Sequence, residues 1–276
     1  MKLVRPVLLG VFAAVLLAGA AGTGWLRLGG PQAEAAADGL PLPPDVPRLA
    51  EGPDYERCLG MIRTDAEGAR VMAEAWEAAG GGEGARHCGA LALLGMGEPE
   101  RAAERLEQLA RMSRGSAATR ASVFAQAGQA WMMAGQGSRA FGATTMGLGL
   151  TPNDAELLLD RAVALGTLGR YAEALEDVKL VLGLDPERAE AWVFRAAANR
   201  HLEKVDQAAE DVARALALAP ENAEALLERG IIRQLKGDTA GAKQDWERAV
   251  SLAPDSATAD LALQNLALNE AGPQRR

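Results

Sequence analysis

Four prolines recur at one fixed interval: Pro152, Pro186, Pro220 and Pro254. Each closes the same kind of phrase: Leu150-Thr151-Pro152, Leu184-Asp185-Pro186, Leu218-Ala219-Pro220 and Leu252-Ala253-Pro254. A fixed period of about 34 residues means one small unit copied in tandem. Such a unit cannot bury its own apolar face, so it must stack on its neighbours. The ladder therefore constrains the fold before any local propensity is weighed, and it directs the functional question towards surfaces.

Other columns keep the same beat. Ala140, Ala174, Ala208 and Ala242 form one; Gly135, Gly169 and Gly237 form another, with Glu203 in the remaining slot. Arg161, Arg195 and Arg229 form a third, and Asp177, Asp211 and Asp245 a fourth. Between prolines the pattern splits into two helices. Residues 156–168 carry Leu158, Ala162 and Leu165 at helical spacing, and residues 171–182 carry Leu175, Val178, Val181 and Leu182. Gly169 ends the first helix because glycine tolerates the left-handed cap conformation. Pro186 follows the second, where a helix cannot continue. The alanine column marks a place where two helix backbones approach closely.

These residues resemble the tetratricopeptide repeat, a helix–turn–helix unit of about 34 residues with a small residue, a glycine turn, an alanine and a closing proline. The large residue early in the first helix appears as Phe124, Leu158, Trp192 and Leu226, and Tyr171 follows the glycine turn. The resemblance is strong over residues 155–254 and extends back to Ala121. Gly97, Ala102, Leu106 and Leu109 repeat the rhythm one unit upstream, and about four extra residues around 115–119 shift the phase. A further pair, residues 55–64 and 66–79, is helical in pattern but has little consensus. The expected architecture is all-α: an α-α superhelix, or solenoid, of antiparallel helix pairs preceded by an N-terminal signal or anchor segment. Its divisions are 1–28 (signal peptide or transmembrane anchor), 29–53 (a linker rich in Ala, Gly and Pro), 54–120 (degenerate helix pairs), 121–254 (tandem repeat units) and 255–276 (a capping helix and tail). The last helix, 257–269, is more polar, as a cap should be.

The N-terminal segment is read as targeting sequence. Lys2 and Arg5 precede an uncharged run over residues 6–26. Ala18-Gly19-Ala20 supplies small residues for signal cleavage, and Ala33-Glu34-Ala35 is a second site further on. The run is also long enough for an uncleaved anchor, which needs about 20 apolar residues. On either reading the positive start places the chain beyond Leu28 outside the cytoplasm. The expected location is the bacterial periplasm, tethered to the inner membrane or released after cleavage. Abundant alanine and glycine, with arginine outnumbering lysine, point to a GC-rich bacterial genome. The net charge of the whole chain is −8, and setting aside Lys2, Arg5 and Arg27 leaves the remainder more acidic still. An acidic solenoid lacks the basic stripe that nucleic acid requires.

Cys58 and Cys88 are the only cysteines, on the first helices of consecutive pairs. In an oxidising compartment an even pair without metal-type spacing favours a disulfide. It would close a loop of about 30 residues and contribute on the order of 3 kcal/mol. Two separate buried thiols are the alternative. A metal site with His87 is disfavoured, because adjacent helix residues diverge by about 100°.

The Arg and Asp columns read as a structural ion-pair ladder, since a charge recurring once per unit is rarely an active site and a partly buried arginine needs a carboxylate. Whether each pair closes within a unit or across to the next is left open by the sequence. Trp76, Trp131, Trp192 and Trp246 read as core packing. No nucleophile elbow, phosphate loop, dinucleotide fingerprint or haem motif is present. The chain is therefore read as non-enzymatic, with no cofactor, metal or catalytic residue. What remains is the groove that the resemblance assigns to the first helices. Its lining is expected to include Gln126, Gln129, Met132, Met133, Leu159, Val163, Val193, Phe194, Arg200, His201, Leu227 and Ile231. This set suggests an apolar groove for an extended or helical peptide. The lysine and asparagine set by which one subclass of the family holds a carboxylate is missing. The expected function is a protein–protein adaptor of the bacterial envelope, with an architectural role as the alternative and an enzyme or cofactor carrier as a remote one. The partner's identity and the oligomeric state are left open.

Overall fold

The computed structural model describes residues 48–271. The targeting segment 1–28 and the linker up to residue 47 lie outside the described residues. Thirteen α-helices follow in order among the described residues. They are α1 (Pro53–Met61), α2 (Ala66–Ala78), α3 (Gly82–Gly95), α4 (Pro99–Met112), α5 (Ala117–Met133), α6 (Gly137–Leu150), α7 (Ala155–Thr167), α8 (Tyr171–Leu184), α9 (Ala189–His201), α10 (Val205–Leu218), α11 (Ala223–Leu235), α12 (Thr239–Leu252) and α13 (Ala257–Ala271). Each helix packs on the next, giving six antiparallel pairs and a final helix. No described residue is in a strand. The fold is the all-α solenoid that the repeat period demands.

Local chemistry sets the helix ends. Asp154, Asn222 and Asp238 cap α7, α11 and α12 by accepting hydrogen bonds from backbone N–H groups of the first turn. Ser116 does the same for α5, which the phase-shifting insertion makes 17 residues long. The insertion thus adds a helical turn. Each first helix from α3 to α11 ends in a left-handed residue: Gly97, Gly135, Gly169, Glu203 and Gly237, with φ of 76°, 71°, 73°, 62° and 88°. The following N–H then reaches back across the turn, as Arg170 N–H does to the Leu165 carbonyl at 2.9 Å and Lys204 N–H to the Asn199 carbonyl at 2.9 Å. This is the Schellman closure. Glu203 keeps the geometry without the glycine.

Packing between helices explains the small residues. Ala140, Ala174, Ala208 and Ala242 are fully buried. At Gly230 an added Cβ would lie 2.3 Å from the Trp246 indole nitrogen. The equivalent positions in the two preceding units pair Ala196 with Val212 and Ala162 with Val178. One unit has therefore exchanged a methyl for room to hold an indole. Trp131 and Trp246 are core residues. Trp192 is half-buried and donates to the Pro186 carbonyl at 2.9 Å. Three overlapping apolar clusters run from α3 to α13. A fourth, at the N-terminal end, has only Cys58, Ala73 and Cys88 as its buried members.

The ion-pair ladder closes within each unit. Arg161 bonds Asp177 through Nε and Nη2 at 2.8 and 2.7 Å, and Arg229 bonds Asp245 at 2.9 and 2.7 Å. Arg195 grips Asp211 likewise and lies 4.3 Å over the Trp192 ring. All three carboxylates are buried. Two have a second donor: Asn199 to Asp211 at 2.9 Å and Arg233 to Asp245 at 2.8 Å.

Cys58 and Cys88 are joined in a disulfide between α1 and α3. A metal site built on their two thiolates is thereby ruled out.

Candidate functional site

The first helices of successive pairs touch one another: α1 with α3, α5 with α7, α7 with α9, α9 with α11 and α11 with α13. The second helices make no comparable contact with each other among the described residues, so they splay apart. The first helices therefore line the inner side of the curve. No described helix is long and apolar enough to cross a membrane.

The inner side differs from an apolar groove. Leu159, Val163, Val193, Phe194 and Leu227 are buried in the cores. Phe194 is 3% exposed and Val163 1%. Each belongs to an apolar cluster that also draws residues from an adjoining unit. These five side chains form the stack itself and do not offer an open apolar lining. Met132 and Ile231 are half-buried against the same cores, and Met133, at the end of α5, is exposed.

Arg200 is corrected in the same way. Its Nε donates to Glu228 at 2.5 Å and its Nη2 at 3.2 Å, and the two side chains are 4% and 1% exposed. This buried pair joins α9 to α11. His201, beside it, stacks on the Tyr171 ring at 4.3 Å. Burial, with Arg200 nearby, pushes the His201 imidazole down to about 4, so it is neutral at pH 7.

A chain of polar groups runs along the stack beneath the inner surface, buried at Tyr55 and His87 and partly exposed at Gln126. Tyr55 Oη lies 2.5 Å from His87 Nδ1, and His87 Nε2 lies 2.6 Å from Gln126 Oε1. This chain crosses α1, α3 and α5. Burial lowers the His87 pKa and raises that of Tyr55 to about 12, so both are uncharged at neutral pH. One turn further on, Gln129 donates to Asp160 of α7 at 3.1 Å. Burial lifts the Asp160 carboxyl to about 7 against the single Gln129 hydrogen bond that favours its ionised form.

From α7 onwards the surface is acidic. Glu156, Glu190 and Glu224 recur once per unit in the first turns of α7, α9 and α11. Arg188 bonds Glu156 at 2.7 Å. Glu224 is pushed up to about 7, by burial and then by the charge of Glu190. A cleft of about 560 Å³ opens between Glu156, Asp185, Glu187, Arg188 and Glu190, with Leu218 and Ala219 on its far wall. Arg200 is neutralised by Glu228, and Arg188 is the guanidinium beside Glu156, Asp160 and Glu190. The acidic column keeps the period of the repeat, and its spacing is visible in the sequence. The larger ladder of structural charges masks it there.

The site thus brings together Gln126, Gln129 and Asp160 at the N-terminal end and the glutamate column further on. It offers hydrogen-bond acceptors and negative charge. Among the described residues, no group of three or more His, Cys, Asp or Glu side chains is arranged to hold a metal ion.

The tetratricopeptide-repeat family profile matches residues 159–223 and 202–257. A search of curated proteins finds no match. Among solved structures, MamA from Desulfovibrio magneticus RS-1 is 23% identical with a TM-score of 0.51, covering 60% of this chain and 91% of its own. A thermophilic tetratricopeptide-repeat protein of Thermus thermophilus is 17% identical with a TM-score of 0.56, covering 68% and 99%. The APC/C hetero-tetramer Cut9–Hcn1 is 16% identical with a TM-score of 0.59, covering 77% of this chain and 42% of that one. At these identities the likeness is one of fold.

Proposed function

We propose, from the premise that this chain belongs to the tetratricopeptide-repeat family, that it is a protein–protein interaction scaffold whose partner lies along the inner face and presents cationic side chains to it. The observation that carries this reading is the column Glu156, Glu190 and Glu224, with Asp160 beside it, on helices whose apolar residues are consumed by the core. A carboxylate held at about 7 by burial regains its charge when a lysine or arginine approaches, so binding and ionisation reinforce each other. The same surface repels a polyanion, which argues against nucleic acid. One structural neighbour, Cut9–Hcn1, is itself a hetero-tetramer.

The reading extends to location. The basic start at Lys2 and Arg5, the apolar run after it and the Cys58–Cys88 bridge support an envelope protein exposed to an oxidising compartment, attached through residues 1–28 or released after cleavage. Mass spectrometry of the mature N-terminus separates these two forms. A start at residue 1 or 2 with recovery in the soluble fraction would overturn both.

The groove is tested by fluorescence titration with short peptides rich in Lys and Arg, neutral, or rich in Asp and Glu. The basic peptides should bind, lose affinity in salt, and lose about fivefold or more in a Glu156→Gln, Glu190→Gln, Glu224→Gln variant of unchanged helicity. Equal affinity for all three peptide classes would sink the reading and leave an architectural role, in which the buried inner residues serve the stack alone.

A further inference from the structure

Helix α1 is attached differently from every other described helix. It has nine residues and buries two side chains, Tyr55 and Cys58. A helix this short has no independent stability in water. Its N-cap, Gly52, makes no side-chain capping bond. Its ion pairs, Arg48–Glu56 and Arg57–Asp54, are more than half exposed on both sides and contribute little. Besides its packing on α2, where the Tyr55 and Trp76 ring centres are 6.4 Å apart and Cys58 Sγ lies 3.5 Å from the Ala69 carbonyl, two specific links tie it to α3: the Cys58–Cys88 bond and the Tyr55–His87 hydrogen bond. The other buried apolar residues beside the sulfurs are small, Ala69 and Ala73.

We propose that α1 is a redox-gated cap: reduction of Cys58–Cys88 releases it from α3 and opens the N-terminal end of the inner face. A dithiol reductant supplies the chemistry. One of its thiolates attacks a cysteine sulfur, the S–S bond breaks and a mixed disulfide forms. The second thiolate then displaces the other cysteine. The protein disulfide gains two electrons and two protons to become two thiols, and the reductant is oxidised to its own disulfide. Non-bonded sulfurs need roughly 3.5–4 Å between them, so two thiols at this fully buried contact favour a wider spacing of α1 from α3.

The consequence reaches the inner face. When α1 leaves, Tyr55 leaves with it, and His87 loses its Nδ1 partner while still touching Gln126. The α1–α3–α5 chain is cut at its first link. Both sulfurs are inaccessible in the closed state, so a reductant acts only when α1 opens. The bridge is therefore protected in the folded protein and responds to local opening.

The test is hydrogen exchange of the full chain, oxidised and after dithiothreitol, read peptide by peptide. Residues 53–61 should exchange about tenfold faster or more on reduction, while α7–α12 change less than about twofold. A Cys58→Ser, Cys88→Ser variant should show the same pattern without reductant. Tyr55→Phe keeps the bond and should leave α1 protected. Unchanged protection of residues 53–61 in both the reduced protein and the double variant would overturn the proposal. Loss spread evenly through to α12 would overturn it too, because the bridge would then be a staple for the whole fold. Neither outcome depends on a partner being bound.

Discussion

In α7–α12 each pair carries a bidentate Arg–Asp bridge from first helix to second, with every carboxylate buried. In α1–α4 no ion pair among the described residues has both partners buried, and the work passes to a disulfide and to the neutral chain Tyr55–His87–Gln126. Between them α5 and α6 have Ala127 and Ala143 at the ladder positions and pack by contact alone. The difference teaches how a repeat array ends. An internal unit is covered on both sides, so a buried charge pair there is shielded and geometrically fixed. The first pair has one neighbour among the described residues and a small core, and a covalent bond holds what packing cannot.

The sharpest way to break this comparison is to remove the ladder one rung at a time. Arg161→Ala should be the most costly, about 3–4 kcal/mol, because Asp177 keeps no other donor. Arg195→Ala should cost about 2 kcal/mol, since Asn199 still bonds Asp211. Arg229→Ala should cost about 1 kcal/mol, since Arg233 leaves Asp245 still paired with a cation. Urea denaturation measures the order, and hydrogen exchange should confine the loss to α7–α12. Equal costs for all three would mean that the second donors carry no weight. Protection lost in α1 would mean that the two ends are one cooperative unit.

A smaller effect belongs to the seam where the two regimes meet. Asp160 faces Gln129 there, and its folded pKa of about 7 lies above the ordinary carboxylate value of about 3.9. Between those values the folded chain holds the proton more tightly than the unfolded chain. Stability from this group is therefore present at low pH and lost as pH rises from about 4 to about 7. Asp160→Asn, which cannot ionise, should be neutral near pH 4 and more stable than wild type by about 1–2 kcal/mol at pH 8, the partial exposure of the carboxyl keeping the gain modest. Thermal melts at the two pH values decide it; a gain that is the same at both would remove ionisation as the cause.

The smallest effect refines the consensus half itself. Glu203 stands at φ 62° where four other first helices have glycine. Glu203→Gly should stabilise by about 0.5–1 kcal/mol, the relief of left-handed strain exceeding the added freedom of the unfolded chain. A destabilised variant in the same melts would show that the glutamate side chain returns more than its backbone costs.

Some of this was legible in the sequence, and the reason differs from residue to residue. Pro186 and Gly169 announce their roles because backbone restrictions are local: no neighbour is needed to know that proline stops a helix or that glycine turns one. Glu203 was legible as the odd member of its column, and its geometry followed. Cys58 and Cys88 were legible as a pair from their even count, their spacing and the compartment expected from the N-terminal sequence. Phe194 and Leu227 were not legible as core, because a helix's periodicity describes one helix at a time, and the clusters that bury them draw on residues of the preceding unit. Arg200 was read as a groove cation for the same reason. Glu228, its partner, lies on the first helix of the following unit, and no column of the repeat relates the two.

The sequence by itself determined the period, the helix boundaries, the all-α solenoid and the existence of a charge ladder, because each follows from covalent restrictions repeated once per unit. Only the tertiary structure decided which charges are spent inside the stack and which remain on its inner face. That division depends on the distance between neighbouring first helices, a matter of a few ångströms that buries Arg200 with Glu228 and leaves Glu156, Glu190 and Glu224 at the surface. The proline ladder sets the stacking order, and the fit between adjacent units sets what is left over to bind.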